Sequence, residues 1–240
     1  MSSRSTRTSP RKRAASAPRQ PLARERVLQT ALRLADDAGI EALSMRRLAQ
    51  ALGVEAMSLY NHVANKVDLL DGMVEQVVAE IELPAIGGDW RDGLRERTLS
   101  AHEVPLRHRW APLLFVARLN VGPAMLRYVD ATHGCLLAAG FTHAEDDHAR
   151  NVIDSHLYGF TLQELLFPLA PGSYAEAARH FLPMVPAERY PHMRALTEEV
   201  IEGRHDGLHD FAFGLELLLE GLATLRLAPA TPKARRPRKR

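Results

Sequence analysis

Residues Ser44 to Val63, Ser-Met-Arg-Arg-Leu-Ala-Gln-Ala-Leu-Gly-Val-Glu-Ala-Met-Ser-Leu-Tyr-Asn-His-Val, carry side chains suited to a nucleic acid at the spacing of two crossed helices. Asn61 has an amide that can pair with the edge of adenine, and Ala56 and Met57 are apolar enough to touch a thymine methyl. Ser58 and His62 complete the set free to face a major groove. Behind them, Ala49 is small enough for the helices to cross closely, Gly53 accommodates the positive φ of a turn, and Val54 and Leu59 pin the second helix to a core. That helix has no arginine, so bidentate reading of guanine falls to Arg46 or Arg47, and DNA shape is expected to contribute much of the affinity. Lys66, at the start of the next helix, opposes the helix dipole, a cost that a nearby phosphate relieves, and the Tyr60 hydroxyl suits the lip of a groove. Ordinary helical hairpins share this spacing, and in one of them Tyr60 would be a core aromatic.

The elements that must hold these residues read as helices nearly throughout, with no hairpin signal. Leu22 to Asp37 forms an amphipathic helix stopped by Ala38-Gly39. Ser44 caps a second helix closed by Gly53, a short segment runs from Glu55 to Val63, and Asn65 caps a helix to about Leu83 with Asp68 at its third position. Pro84 to Gly88 breaks the chain into two units. Further helices are expected from Asp89 to His108, from Pro112, from Gly122-Pro123 to Gly140, and from a capping box at Thr142 to Glu145 through to about Phe167. Residues 168–186 read as a loop holding one short helix from Tyr174 to Phe181. Pro186 starts another helix, and Gly207 to Leu227 forms the last.

The composition suits one large helical domain or a small module on a larger one: 240 residues, 46% apolar, with a single cysteine, Cys135, that has no internal partner. No segment reaches the roughly 18 apolar residues of a membrane span, and residues 1–21 lack the apolar core of a signal peptide, so a cytoplasmic protein is expected. A net charge of +2 conceals segregation. Residues 1–21 and 229–240 hold six basic side chains each and no acids, which leaves 19 basic against 29 acidic residues in 22–228, a net of −10. Both tails are expected to be disordered arms that meet a polyanion, or else to be merely solubilising. No Gly-rich phosphate loop, nucleophile elbow or Cys/His metal spacing is present, so no catalytic residue, cofactor or metal is expected. The run His143, Glu145, Asp146, Asp147, His148 needs no metal, because acids favour the first turn of a helix.

The stretch from Arg24 through Leu70 resembles the N-terminal domain of the tetracycline-repressor family. Its marks are Ala38-Gly39, Leu48-Ala49, Leu52-Gly53-Val54, Leu59-Tyr60, His62-Val63, Asn65-Lys66 and Leu69-Leu70. Downstream, Asp89-Trp90 and Gly140-Phe141-Thr142 resemble the family's tetracycline-repressor branch more loosely. The resemblance implies an all-α fold: a three-helix helix-turn-helix domain (22–67) followed by a larger helical ligand-sensing and dimerisation domain (68–228). It also implies that Ser58, Tyr60, His62 and Lys66 contact or border the phosphate backbone. Met45 and Arg46 would touch base or phosphate, and Ala56, Met57 and Asn61 would reach base edges. The branch holds magnesium–tetracycline through a histidine in the loop before its seventh helix; here Arg118 to Pro123 contains none, so that mode of binding is not expected.

In the second unit, Trp110, Phe115, Leu119, Met125, Tyr128, Phe160 and Leu166 could line an apolar pocket, with His102, Asn151, His156 and Gln163 as polar anchors, although in any bundle most of these are plain core. Two stripes, Phe211-Leu215-Leu218-Leu222-Leu225 and Val152-Gly159-Phe160-Gln163-Phe167, would build a four-helix homodimer interface or face their own core. The expectation is a dimeric repressor that binds a palindromic double-stranded DNA operator and is released by a small-molecule effector. The alternative is a non-sensing architectural DNA-binding protein whose arms supply the affinity.

Overall fold

The computed structural model describes residues 22–118, 120–169, 172–205 and 210–227, and among these every regular element is helical. The basic arms, Leu119 and the expected helix start at Gly207 lie outside the described residues. The order is α1 (Arg24–Ala38), a 3-10 turn (Ile40–Ala42), α2 (Met45–Leu52), α3 (Ala56–Leu59) and α4 (Lys66–Val78). After a break come α5 (Trp90–Arg107), α6 (Ala111–Ala117), α7 (Pro123–Ala138), α8 (His143–Leu166), α9 (Tyr174–Phe181), α10 (Pro191–Ile201) and α11 (Phe211–Leu227).

Local chemistry sets most of these boundaries. The Ser44 hydroxyl accepts from the Arg47 amide at 3.2 Å to start α2, and the Asn65 side chain accepts from the Asp68 amide at 3.0 Å to start α4. Thr142 and Glu145 cap α8 reciprocally, as their spacing predicts. Gly53 ends α2 at φ 68°, ψ 35°, the left-handed conformation that only glycine adopts without strain.

Three boundaries differ from expectation. Helix α4 stops at Val78 rather than near Leu83, because the chain tightens into turns whose amides at Glu80 and Ile81 bond back three residues. Helix α3 is one turn, Ala56–Leu59, and residues up to Val63 continue as turns. Pro186 begins a turn, and Pro191 instead opens α10 at its first position, where a missing N–H costs nothing.

Helices α1 to α4 enclose a small core of Val27, Ala31, Leu48, Leu59, Leu69 and Met73. That core is continuous with a larger one centred on α5, α7, α8 and α11, with Leu94, Leu136, Ile153, Leu157, Leu215 and Leu219 fully buried. On α11, Phe211, Leu215 and Leu222 belong to this core, so most of that stripe serves the chain's own packing.

Gly53→Ala should cost about 1 kcal/mol, the penalty for a Cβ in the left-handed region. Thermal melting followed by circular dichroism should show a midpoint lower by roughly 2–4 °C for a chain of this size.

Candidate nucleic-acid interface and sensor

The turn at Gly53 sets α3 on an apolar anchor. Leu59 and Val63 are completely buried, whereas Met57 is 75% exposed and Tyr60 44% exposed. Arg46, Asn61 and Lys66 are exposed as well, and Met45, Ala56, Ser58 and His62 are half-buried. Met45 and Ala56 pack against the core beneath, so they support this surface more than they project from it. The exposure of Tyr60 is incompatible with a core aromatic. Arg46, Met57, Tyr60, Asn61 and Lys66 therefore form an outward set of one cation at each end with an amide, a phenol and a flexible apolar side chain between.

A network that the sequence pattern did not reveal holds this set in place. Arg24 at the start of α1 forms a two-pronged bond to Asp68, at 2.7 and 3.0 Å, and donates to the carbonyl of His62 at 2.8 Å. Asp68 also accepts from the Ala64 amide at 2.8 Å. One carboxylate thus ties α1, the turn after α3 and the first turn of α4 together. The Arg24 guanidinium and then the Ala64 amide hold that carboxyl below the usual aspartate range. The available signal was the conjunction of a basic residue at the start of α1 with an acid at the third position of α4, which is legible only once the two helices are known to meet.

The helices after the break at Pro84 to Gly88 meet α1 and α4 through polar contacts at both ends. Asp71 of α4 pairs with Arg118 at the end of α6, with the Nε at 3.1 Å. Glu75 of α4 accepts from the amides of Ala124 (2.7 Å) and Met125 (3.3 Å), so an α4 carboxylate caps the N-terminus of α7. A Cβ at Gly122 would stand 2.1 Å from the Glu75 carboxyl carbon, so only glycine permits this approach. Around these groups lies a cleft of about 180 Å³ lined by Asp71, Val74, Glu75, Asn120, Val121 and Gly122. At the other end, His108 meets Asp36 of α1 at 2.9 Å and Glu80 at 3.2 Å, and the Trp110 indole donates to Asp36 at 2.7 Å.

Of the residues expected to line a pocket, His102, His156 and Phe160 come together around Phe211. His102 lies 4.0 Å and His156 4.8 Å from that ring, the latter stacked, and Phe160 lies 5.3 Å away. Burial holds the His102 imidazole below its usual pKa, so it is neutral at pH 7. Phe115 joins Tyr158 edge-on at 6.5 Å. Trp110 is instead at the junction with α1, and Met125 sits half-buried beside the Glu75 cap. Asn151 and Gln163 are on the exposed face of α8, away from that aromatic group, and Leu166 is exposed there too. In the acidic run at the start of α8, Glu145 serves the capping box and buried Asp146 bonds His133 at 2.6 Å. Among the described residues no group of three or more His, Cys, Asp or Glu side chains is placed to hold a metal ion.

An exposed one-turn helix pinned by Leu59 and followed by a larger helical bundle defines a helix-turn-helix protein with an appended helical domain. The profile of bacterial regulatory proteins, tetR family, matches residues 27–73, and that of the tetracyclin repressor-like C-terminal domain matches residues 83–226. The chain belongs to the tetR family. The HTH-type transcriptional repressor DrrR1 of Streptomyces coeruleorubidus is 33% identical over 87% of this chain and 80% of its own length. The class D tetracycline repressor protein of Escherichia coli is 30% identical over 83% and 88%. Among solved structures, the Streptomyces coelicolor tetR-family protein ActR in complex with actinorhodin superimposes with a TM-score of 0.71 at 29% identity, covering 85% of this chain and 98% of that one.

Because the Asp68 carboxyl is held low, its contribution to stability is complete above the ordinary aspartate range near pH 4 and fades as pH falls through the lowered value. Asp68→Asn should therefore flatten the acid limb of a stability–pH profile, and cost about 1 kcal/mol at pH 7 through the lost ties to Arg24 and Ala64. An unchanged acid limb would show that the Arg24–Asp68 pair does not hold the turn.

Proposed function

We propose that this chain is a dimeric, ligand-responsive transcriptional repressor that binds a palindromic DNA operator and lets go when a small molecule occupies the second unit. The support is that its relatives include the transcriptional repressor DrrR1 and the class D tetracycline repressor protein, and that the similar structure of ActR holds actinorhodin. The observation that carries the reading is the contrast within five residues between buried Leu59 and Val63 and exposed Tyr60 and Asn61. It sets a short helix edge-out at the surface, the arrangement needed to enter a major groove. Arg46, Met57, Tyr60, Asn61 and Lys66 meet DNA directly. Met45, Ala56, Ser58 and His62 border it. The second unit starts within α4, whose first turn is tied to α1 and whose later turns meet α6 and α7. A cytoplasmic location follows from this role; among the described residues no helix is long and apolar enough to cross a membrane.

Dimerisation is supported by what α8 and α11 leave uncovered. Phe213 is 64% and Leu217 55% exposed on α11, and Val152 is exposed on α8. Gly159 and Gly221 have open space where a side chain would be, so a partner helix can approach closely. Two such helices from each copy make a four-helix seam, with the two α3 helices about one DNA turn apart, roughly 34–36 Å. Effector binding acts through α4: shifting the α6–α7 loop moves Arg118 and the Glu75-capped end of α7, and α4 tilts with them.

Selection from random duplexes should yield an inverted repeat, and no sequence preference at all would defeat the proposal. Lys66→Ala should weaken binding evenly across sequences and reduce the salt slope by about one. Deleting residues 1–21 and 229–240 should lower affinity and flatten salt dependence while keeping sequence preference; complete loss of binding would favour the architectural alternative. Leu217→Glu should give a monomer in light scattering and abolish operator binding with helicity unchanged.

A further inference from the structure

Arg97 stands on the buried side of α5, 1% exposed. Its neighbours on the same helical stripe are Leu94, Ala101 and Val104, all buried apolar residues. One of its nitrogens donates to Asp154 of α8 at 2.9 Å, and its guanidinium carbon lies 4.2 Å over the ring of Tyr128 on α7. Among the described residues its Nε and Nη1 have no hydrogen-bond partner, and neither does the buried hydroxyl of Tyr128. Asp154 is shared, because it also accepts from Arg150 at 3.0 Å. One half-buried carboxylate thus answers two guanidiniums, and Arg150 has a second partner in the exposed Asp147 at 3.5 Å. The surroundings are aromatic: Tyr128, and Tyr158 with Phe115 edge-on to it. Burial keeps both phenols protonated well above neutral pH, so neither supplies a counter-charge.

Unpaired donors on a buried cation are costly, and a protein retains them where something else uses them. Each free N–H of a guanidinium can donate to an anion that reaches it, and a phenolic hydroxyl on the face below can donate to the same anion.

We propose that Arg97 and Tyr128 form the anion-recognition point of the sensor, and that the effector is an aromatic acid whose carboxylate accepts from a free N–H of Arg97 while its rings lie among Tyr128, Tyr158 and Phe115. This rests on the sensor reading above. It narrows the effector to one chemical class, and neutral or cationic aromatics of the same shape are disfavoured because they offer the free N–H groups no anionic acceptor.

The test is calorimetry on the whole dimer with matched probes: 1-naphthaleneacetate, anthraquinone-2-carboxylate and the primary amide of each. At least one acid should bind roughly ten- to a hundredfold more tightly than its amide. Arg97→Gln should erase that ratio by weakening the acid alone. Should that variant fail to fold, Tyr128→Phe serves independently: it removes a hydroxyl without a partner, so the free protein should melt no lower while the acid binds about three- to tenfold more weakly. A purely structural Arg97 and Tyr128 would move melting temperature and leave the acid-to-amide ratio alone. Equal affinity for every acid and its amide in the unmodified protein, or a ratio that survives both substitutions, overturns the proposal. None of these measurements needs DNA, so their failure with sequence-selective DNA binding intact removes only the ligand class, while loss of that selectivity removes the repressor reading.

Discussion

Helix α4 has to satisfy two cores at once, and the rest of the architecture is arranged around that demand. Its first turn is bound to α1 through Asp68 and Arg24, and Leu69 and Met73 sit in the small core. One and two turns further on, Asp71 and Glu75 reach out to Arg118 and to the α7 amides. An isolated helix of this length would be marginal in water, so its shape depends on these neighbours. The same dependence means that α4 cannot ignore a movement of either unit. Gly122 is the clearest sign that the contact is specific, since any side chain there would expel the Glu75 carboxylate from the α7 terminus.

Much of this was legible from sequence wherever the cause is local. Ser44, Asn65 and Thr142 are side-chain caps that act within three residues, Gly53 answers a single dihedral angle, and Leu59 with Val63 follows helical spacing, so α2, the turn and the start of α8 appear where their residues require. The end of α4 was misplaced because apolar residues continue to Ile81 and Leu83, and periodicity does not register a change from α-helical to tighter turns. Pro186 and Pro191 are equally good helix openers by residue type, and only the chain's path past Val185 decides between them.

What sequence could not divide was apolar surface by destination. The stripe holding Phe211, Leu215 and Leu222 suits an interface or a core equally by sequence; these three are core, whereas Phe213 and Leu217, one helical face away, stay uncovered. Both faces of α11 are apolar, so period alone has no way to rank them. The polar residues posed the opposite difficulty. Asn151 and Gln163 look like anchors by type, yet α8 turns them outward, and a buried cation with unsatisfied donors, Arg97, stands on a stripe otherwise made of Leu94, Ala101 and Val104. A charged residue at a core position of a helix was the signal, and it is stronger than any amide on a face whose orientation is unknown.

The strength of the joints between the units also decides what kind of switch is feasible. Asp71–Arg118 is half-exposed and Arg107–Glu80 more so, and pairs of that sort are worth about 0–1 kcal/mol each. The Glu75 cap adds an interaction with a helix terminus of similar size, about 0.3–1 kcal/mol. Together these sum to about 0.3–3 kcal/mol, which overlaps the 1–3 kcal/mol that typically couples two binding sites, so on the proposed reading an effector needs only a modest preference for one arrangement of the α6–α7 loop to reset them. Apolar packing crosses the same joint, because the core is continuous from α1–α4 into α5, α7, α8 and α11 and takes in Val74, Val77 and Val78 of α4. The polar joints can therefore exchange partners while α4 stays packed, which favours small adjustments over separation of the two halves, and Leu59, Leu69 and Met73 keep α3 rigid on its support throughout.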